Sequence, residues 1–148
     1  MSIFNFFKLF FSSLRNYYEK HPVTNRAIQT FLKKKFKGID LYTVDNMYLT
    51  CDYEDAKNIG NIINTKIAKY KEEEWDCDNF AWEFRAVAQK LFPRLPIGYT
   101  HVKKSDGSLH ALNFIIYKSS EKSLGFMFIE PQNNKVSMFN YKPFMMIV

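Results

Sequence analysis

"EEEWDCDNFAWEF", residues 72–84, is the stretch on which the fold turns. Cys77 stands between Asp76 and Asp78, at the head of a run that reads as a helix over 77–91. In that run Cys77, Ala81, Phe84, Ala88 and Leu91 recur at steps of four, three, four and three. They therefore share one face, with Phe80 and Val87 beside it. Pro93 and Pro96 stop the helix. An apolar face that begins on the first helical residue aims that residue at whatever the helix packs on. The same place puts the thiol beside free N–H groups and the positive end of the helix dipole, which stabilise a thiolate. Three readings of Cys77 stand: a thiol that packs, a metal ligand, or a nucleophile.

Downstream of this helix the pattern changes to strands. "IGYTHVKK" (97–104) leads through an Asp106-Gly107 hairpin turn into "LHALNFIIYK" (109–118). "LGFMFIE" (124–130) and "KVSMFNY" (135–141) follow after short polar turns. Short turns predict an antiparallel meander. Upstream, apolar residues recur at helical spacing over 3–18, and His21-Pro22 ends that helix. Thr24 is the expected N-cap of a second helix over 25–36, closed by Gly38. Residues 39–53 read as extended chain broken near Asp45-Asn46, and 54–74 as a third helix weakened by Gly60. Helices first and a sheet afterwards make an α+β arrangement. Residues 1–38 read as a basic, aromatic helical extension and 39–148 as the α+β domain, the whole expected to be one compact unit.

The chain has 148 residues, 47% of them hydrophobic, enough for a core. Its net charge of +6 is unevenly placed. Residues 1–37 hold eight cations against Glu19 alone, so the remainder carries a net −1. Such a segment faces solvent, an acidic partner or an anionic surface. The aromatic first helix reads as core or a domain flap, with residues 1–22 as a contact for a partner protein or a membrane surface as the alternatives. No nucleic-acid motif is present, and Lys33-Lys34-Lys35 is too short a patch to predict one. Two cysteines make no disulfide framework and no zinc spacing, which fits a reducing compartment. No signal peptide or transmembrane span is read, so the expected location is cytoplasmic.

A nucleophilic thiol needs a base, and the base an orienting group. His110 opens the strand "HALNF" and Glu130 ends the next strand, in "FIEPQ". A hairpin centred on 119–123 brings Glu130 opposite residue 112, close to His110. His101 is the reserve base. Asn113 faces away from His110 and reads as structural, and Cys51 reads as packing.

The order of helix-borne Cys77, strand-borne His110 and Glu130 resembles the papain-like cysteine peptidases and the transglutaminase-like fold. More narrowly, "CDNFAWEF", "HALNF" and "IEPQ" resemble the papain-like C-terminal domain of the mushroom agglutinin family, also found in bacterial and phage proteins. That resemblance covers residues 70–141. It implies a central helix with an N-terminal Cys packed on an antiparallel sheet. It also implies a catalytic triad: Cys77 as nucleophile, His110 as base, Glu130 as orienter. The implied activity is that of a thiol protease, a cysteine-dependent hydrolase or acyl transferase acting on an amide bond of a peptide or protein substrate. The family's glutamine before the cysteine is missing from "YKEEEW" (70–75). Trp75, Tyr70 and Gln132 are the candidates for the second oxyanion donor, beside the Cys77 N–H. The carboxylates around Cys77 oppose a thiolate. A calcium ion held by Asp76 and Asp78 would relieve this, and no other cofactor is implied. The missing glutamine and the acidic flank favour an alternative, a catalytically silent binding module such as a phage or bacterial effector or inhibitor that binds a host protein.

Overall fold

A computed structural model describes residues 3–64, 76–133, 135–137 and 140–148. Among these, the elements run α1 (Ile3–Tyr18), β1 (His21–Thr24), α2 (Asn25–Lys35), β2 (Asp40–Tyr42), β3 (Met47–Thr50) and α3 (Tyr53–Asn64). Then come α4 (Cys77–Leu91), β4 (Ile97–Lys103), β5 (Leu109–Ser120), β6 (Ser123–Glu130), β7 (Lys135–Ser137) and β8 (Lys142–Ile147). The architecture is α+β.

Local chemistry sets the boundaries. Thr24 caps α2, its Oγ1 accepting from the Ala27 N–H at 3.2 Å. The helix expected over 77–91 forms with those limits, and the Phe92 N–H closes it on the Ala88 carbonyl before Pro93. The third helix begins one residue earlier than expected. The expected part beyond Asn64, residues 65–74, lies outside the described residues. Gly107 turns the β4–β5 hairpin at φ 87°, a conformation open to glycine at no steric cost.

Six strands form one sheet in the order β2-β8-β4-β5-β6-β7, and β1 pairs with β3 apart from it. The meander from β4 to β7 is antiparallel, as the turns predict. The sequence reading has no strand over 142–147. "KPFMMI" has proline as its second residue and carries no β-branched residue before Ile147, so it gives little strand signal. Yet β8 fills the place beside β4, with a register shift near Pro143, and takes β2 as a parallel neighbour.

Each face of the sheet buries its own core. On one face α3 and α4 lay Ile59, Ile63, Phe84 and Ala88 over Ile97, Ile115, Met127 and Ile129. The end of α1 joins this layer: Tyr18 meets Phe92 edge-on, 5.2 Å between ring centroids. Arg15 donates to the Leu91 and Lys90 carbonyls at 3.0 and 2.8 Å. Those carbonyls have no partner inside α4, so the guanidinium satisfies its C-terminus and complements its dipole. On the other face α2 sets Ile28 and Leu32, with Tyr48 of β3, over Leu112, Phe114, Ile116, Phe126 and Phe128. Residues 1–38 thus supply core to both faces. Among the described residues, no helix is long and apolar enough to cross a membrane.

Candidate functional site

Strand alternation decides which predicted site residues meet. In β5, Ala111, Asn113 and Ile115 point toward α4. Asn113 demonstrates this directly: fully buried, its Nδ2 donates to the Ala81 carbonyl of α4 at 2.9 Å and to the Gly98 carbonyl at 3.1 Å. His110 and Leu112 must then point to the α2 face. The register Asn113↔Ile129 puts Glu130 opposite Leu112 on that same face.

There His110 and Glu130 close on one another, Nε2 to Oε2 at 2.5 Å, both side chains nearly buried. The Tyr141 ring stands edge-on to His110 at 6.5 Å. The Gln132 backbone N–H donates to the other Glu130 oxygen at 3.4 Å, while its residue is exposed in the turn after β6.

Cys77 is elsewhere. Half-buried on the first residue of α4, it packs with Ala81, Tyr99 and Ala111, together with Met145 and Ile147. This cluster belongs to the α4 face. No hydrogen bond joins Cys77 to either His110 or His101 among the described residues. The structure therefore brings together two of the three expected triad members and sets the third on the other side of the sheet. Tyr70 and Trp75 lie outside the described residues.

The histidine that shares the face of Cys77 is His101, which pairs across the strands with Ala111. It stands in a row of rings that the sequence reading did not assemble. The rings of Trp82 and Tyr99 stack in parallel, 16° apart with centroids at 4.3 Å. The Tyr99 hydroxyl hydrogen-bonds His101 Nε2. His101 meets Phe144 at 5.7 Å. Trp82 and Phe144 are exposed, 44% and 39%, which is unusual for rings of that size. The available signal was the alternation of Tyr99 and His101 on one strand face. Phe144 could not be added to it without β8.

The electrostatics at this corner come from acids. Burial first, then the charges of Asp78, Cys77 and Asp76, push the Tyr99 hydroxyl up to about 12. Asp76 and Asp78 share a hydrogen bond that lowers Asp76 and raises Asp78, so Asp78 is the one that takes up a proton first as pH falls. Calcium takes six to eight oxygen ligands. Asp76 and Asp78 are both exposed, Glu72, Glu73 and Glu74 lie outside the described residues, and among the described residues no group of three or more acidic, His or Cys side chains is placed to hold a metal. Cys51 is buried in the α3/α4 core, where desolvation and the nearby Asp55 push its thiol up to about 12.

No protein-family profile matches the chain, and neither does any curated protein. Solved structures do. One, described as a PSL1a–E64 complex, superposes with a TM-score of 0.71 at 22% identity, covering 88% of this chain and 51% of that one. Another is a Polyporus squamosus lectin bound to the human-type influenza-binding epitope Neu5Acα2-6Galβ1-4GlcNAc. Its TM-score is 0.67 at 22% identity, with 88% of this chain and 50% of that one covered. The chain thus spans about half the length of the structures it matches and shares that part of their fold. These findings correct the expectation of a papain-like or transglutaminase-like peptidase. The fold is shared with PSL1a and with the Polyporus squamosus lectin, and neither description names a peptidase. The hydrolase and thiol-protease reading falls with it. Its physical counterpart is the separation of Cys77 from the His110–Glu130 pair by the sheet.

Proposed function

We propose that this chain is a binding module that takes its ligand on the corner built by Trp82, Tyr99, His101 and Phe144. The observation that carries this reading is the exposed ring row itself. Stacking already fixes Trp82 on Tyr99, so a ligand that lies on the indole meets a preorganised surface. A sugar ring suits it: its C–H face covers the indole, and its hydroxyls reach the carboxyls of Asp76 and Asp78. The Polyporus squamosus lectin's glycan is the first ligand to try. The test is isothermal titration of the full chain with that trisaccharide and with its separate sugars. Saturable binding that disappears in Trp82→Ala and weakens in Phe144→Ala supports the reading. Heat-silent titrations, or binding indifferent to Trp82, would end it.

A further inference from the structure

On the α2 face, far in sequence from the ring row, a cleft of about 920 Å³ runs between α2 and the β5–β6 turn. Its rim carries Arg26, Lys34 and Lys35 on one side and Lys118 and Lys122 on the other. Among the described residues Glu121 is the single acid that lines it. Among the described residues none of the five cations is in an ion pair. Lys35 lies over the rings of Phe36 and Phe126, at 5.6 and 5.9 Å, which holds it at the cleft's end. The floor is apolar: Val23, Ala27, Phe31 and Leu124.

The helix arranges this by spacing. Ile28 and Leu32 take the core side of α2, and Arg26, Thr30 and Lys34 follow at steps of four on the exposed side. Ala27 and Phe31 fall between the two rows and face the cleft. Five converging cations would repel one another in an empty cleft, and an anion relieves that cost. The apolar floor adds a second requirement. A free phosphate has nothing to place on Phe31, and a nucleic-acid strand needs exposed rings for its bases, of which the cleft offers only half-buried Phe31.

We propose that this cleft binds an acidic segment of a protein partner, one that carries an apolar side chain between its carboxylates. The carboxylates meet the two basic walls and the apolar side chain covers Phe31 and Leu124. This site is separate from the ring row and does not depend on its ligand.

The test is fluorescence anisotropy with the full chain and a fluorescein-labelled peptide of glutamates around a central Leu-Phe pair. The comparison probes are the same peptide with Ser-Ser at its centre and a labelled single-stranded oligonucleotide. The expected result is saturable binding of the Leu-Phe peptide that falls as salt rises. The Ser-Ser peptide binds roughly tenfold more weakly, a difference of about 1.4 kcal/mol. The double variant Arg26→Glu/Lys122→Glu, both positions exposed, loses at least about tenfold while keeping the wild-type thermal midpoint. Trp82→Ala leaves the affinity unchanged. Failure of the peptide to saturate at millimolar concentration overturns the proposal. So does binding that ignores the charge reversal, or an oligonucleotide that binds as tightly as the Leu-Phe peptide.

Discussion

The two faces of the sheet bury polar groups in different ways. Toward α4 the group is a neutral amide: Asn113 ties the helix backbone at Ala81 and the strand backbone at Gly98 to one side chain. Toward α2 it is an ionisable pair, His110 with Glu130, placed where β5 begins and β6 ends. A buried amide needs only hydrogen bonds, so it can stand deep in a core. A buried carboxylate needs a charged or strongly donating partner as well, and the pair accordingly sits near the rim. The amide fixes where α4 lies, and therefore where Cys77 and Trp82 are presented. The pair fixes two strand ends. Position on one face thus belongs to the helix that carries the ring row, and position on the other to the sheet.

The largest test of this division asks whether both layers are equally structural. Phe84→Ala on the α4 side and Phe114→Ala on the α2 side each empty a fully buried ring site. Each is expected to cost about 3–5 kcal/mol in urea unfolding. A cost below about 1 kcal/mol on one face would show that layer to be dispensable. Asn113→Ala comes next, at about 2–3 kcal/mol, because it removes both buried side-chain hydrogen bonds that tie α4 to β4. It should also loosen α4, read as faster amide exchange at Ala81 and Trp82 than in the wild type. Glu130→Ala should cost about 2 kcal/mol by leaving His110 unpaired. Under the binding-module reading it leaves the ring row's ligand affinity unchanged, and a large loss there would break the separation of the faces.

Much of this was legible in the sequence where one local rule acted alone. The limits of α4 follow from its apolar steps and Pro93, and the place of Glu130 beside His110 follows from counting a hairpin. Asn113 read as structural because alternation turned it away from His110. The same alternation, applied once more, separates His110 from the helix that carries Cys77. That step needed to know which strand face α4 covers, a tertiary fact that no periodicity states. The ring row was illegible for a like reason. Trp82, Tyr99 and Phe144 come from a helix and two strands, one of them the proline-containing β8 that gives little strand signal. The basic cleft was half visible. The charge excess of residues 1–37 was plain, whereas Lys118 and Lys122 join it only through the fold.

The two cysteines, both on the α4 side, give a smaller and sharper comparison. Cys51 is fully buried with its thiol pushed up to about 12, whereas Cys77 is half-buried at a helix start. In native protein a disulfide-exchange reagent should titrate Cys77 and leave Cys51 until urea is added. The stability linked to Cys51 has a definite sign. Its folded pKa lies above its unfolded value near 9, so the folded state holds the proton more tightly. That contribution is complete below pH 9 and is lost as pH rises toward about 12. Cys51→Ala should flatten the alkaline decline of stability. An unchanged decline would place its cause in another group.

The smallest effect lies at the rim of the same face, where Lys20 bridges Asp52 and Asp55 at 2.8 and 2.7 Å and so joins the end of α1 to α3. Hydrogen bonds from Lys20 and then His21 hold Asp52 below its ordinary 3.8. The sign is opposite to that of Cys51: the stabilisation is present above pH 3.8 and is lost as pH falls through the lower folded value. Half of the Asp52 side chain is exposed, so water and salt screen it. Asp52→Asn should therefore cost only about 0.5 kcal/mol, falling further in molar salt. Asp55, nearly buried beneath the same lysine, is screened less, so Asp55→Asn should cost more and keep most of its cost in salt. If the two substitutions proved equal and equally salt-sensitive, burial would not be what separates them. The α1 junction would then be a surface contact, with no part in the α4-side layer.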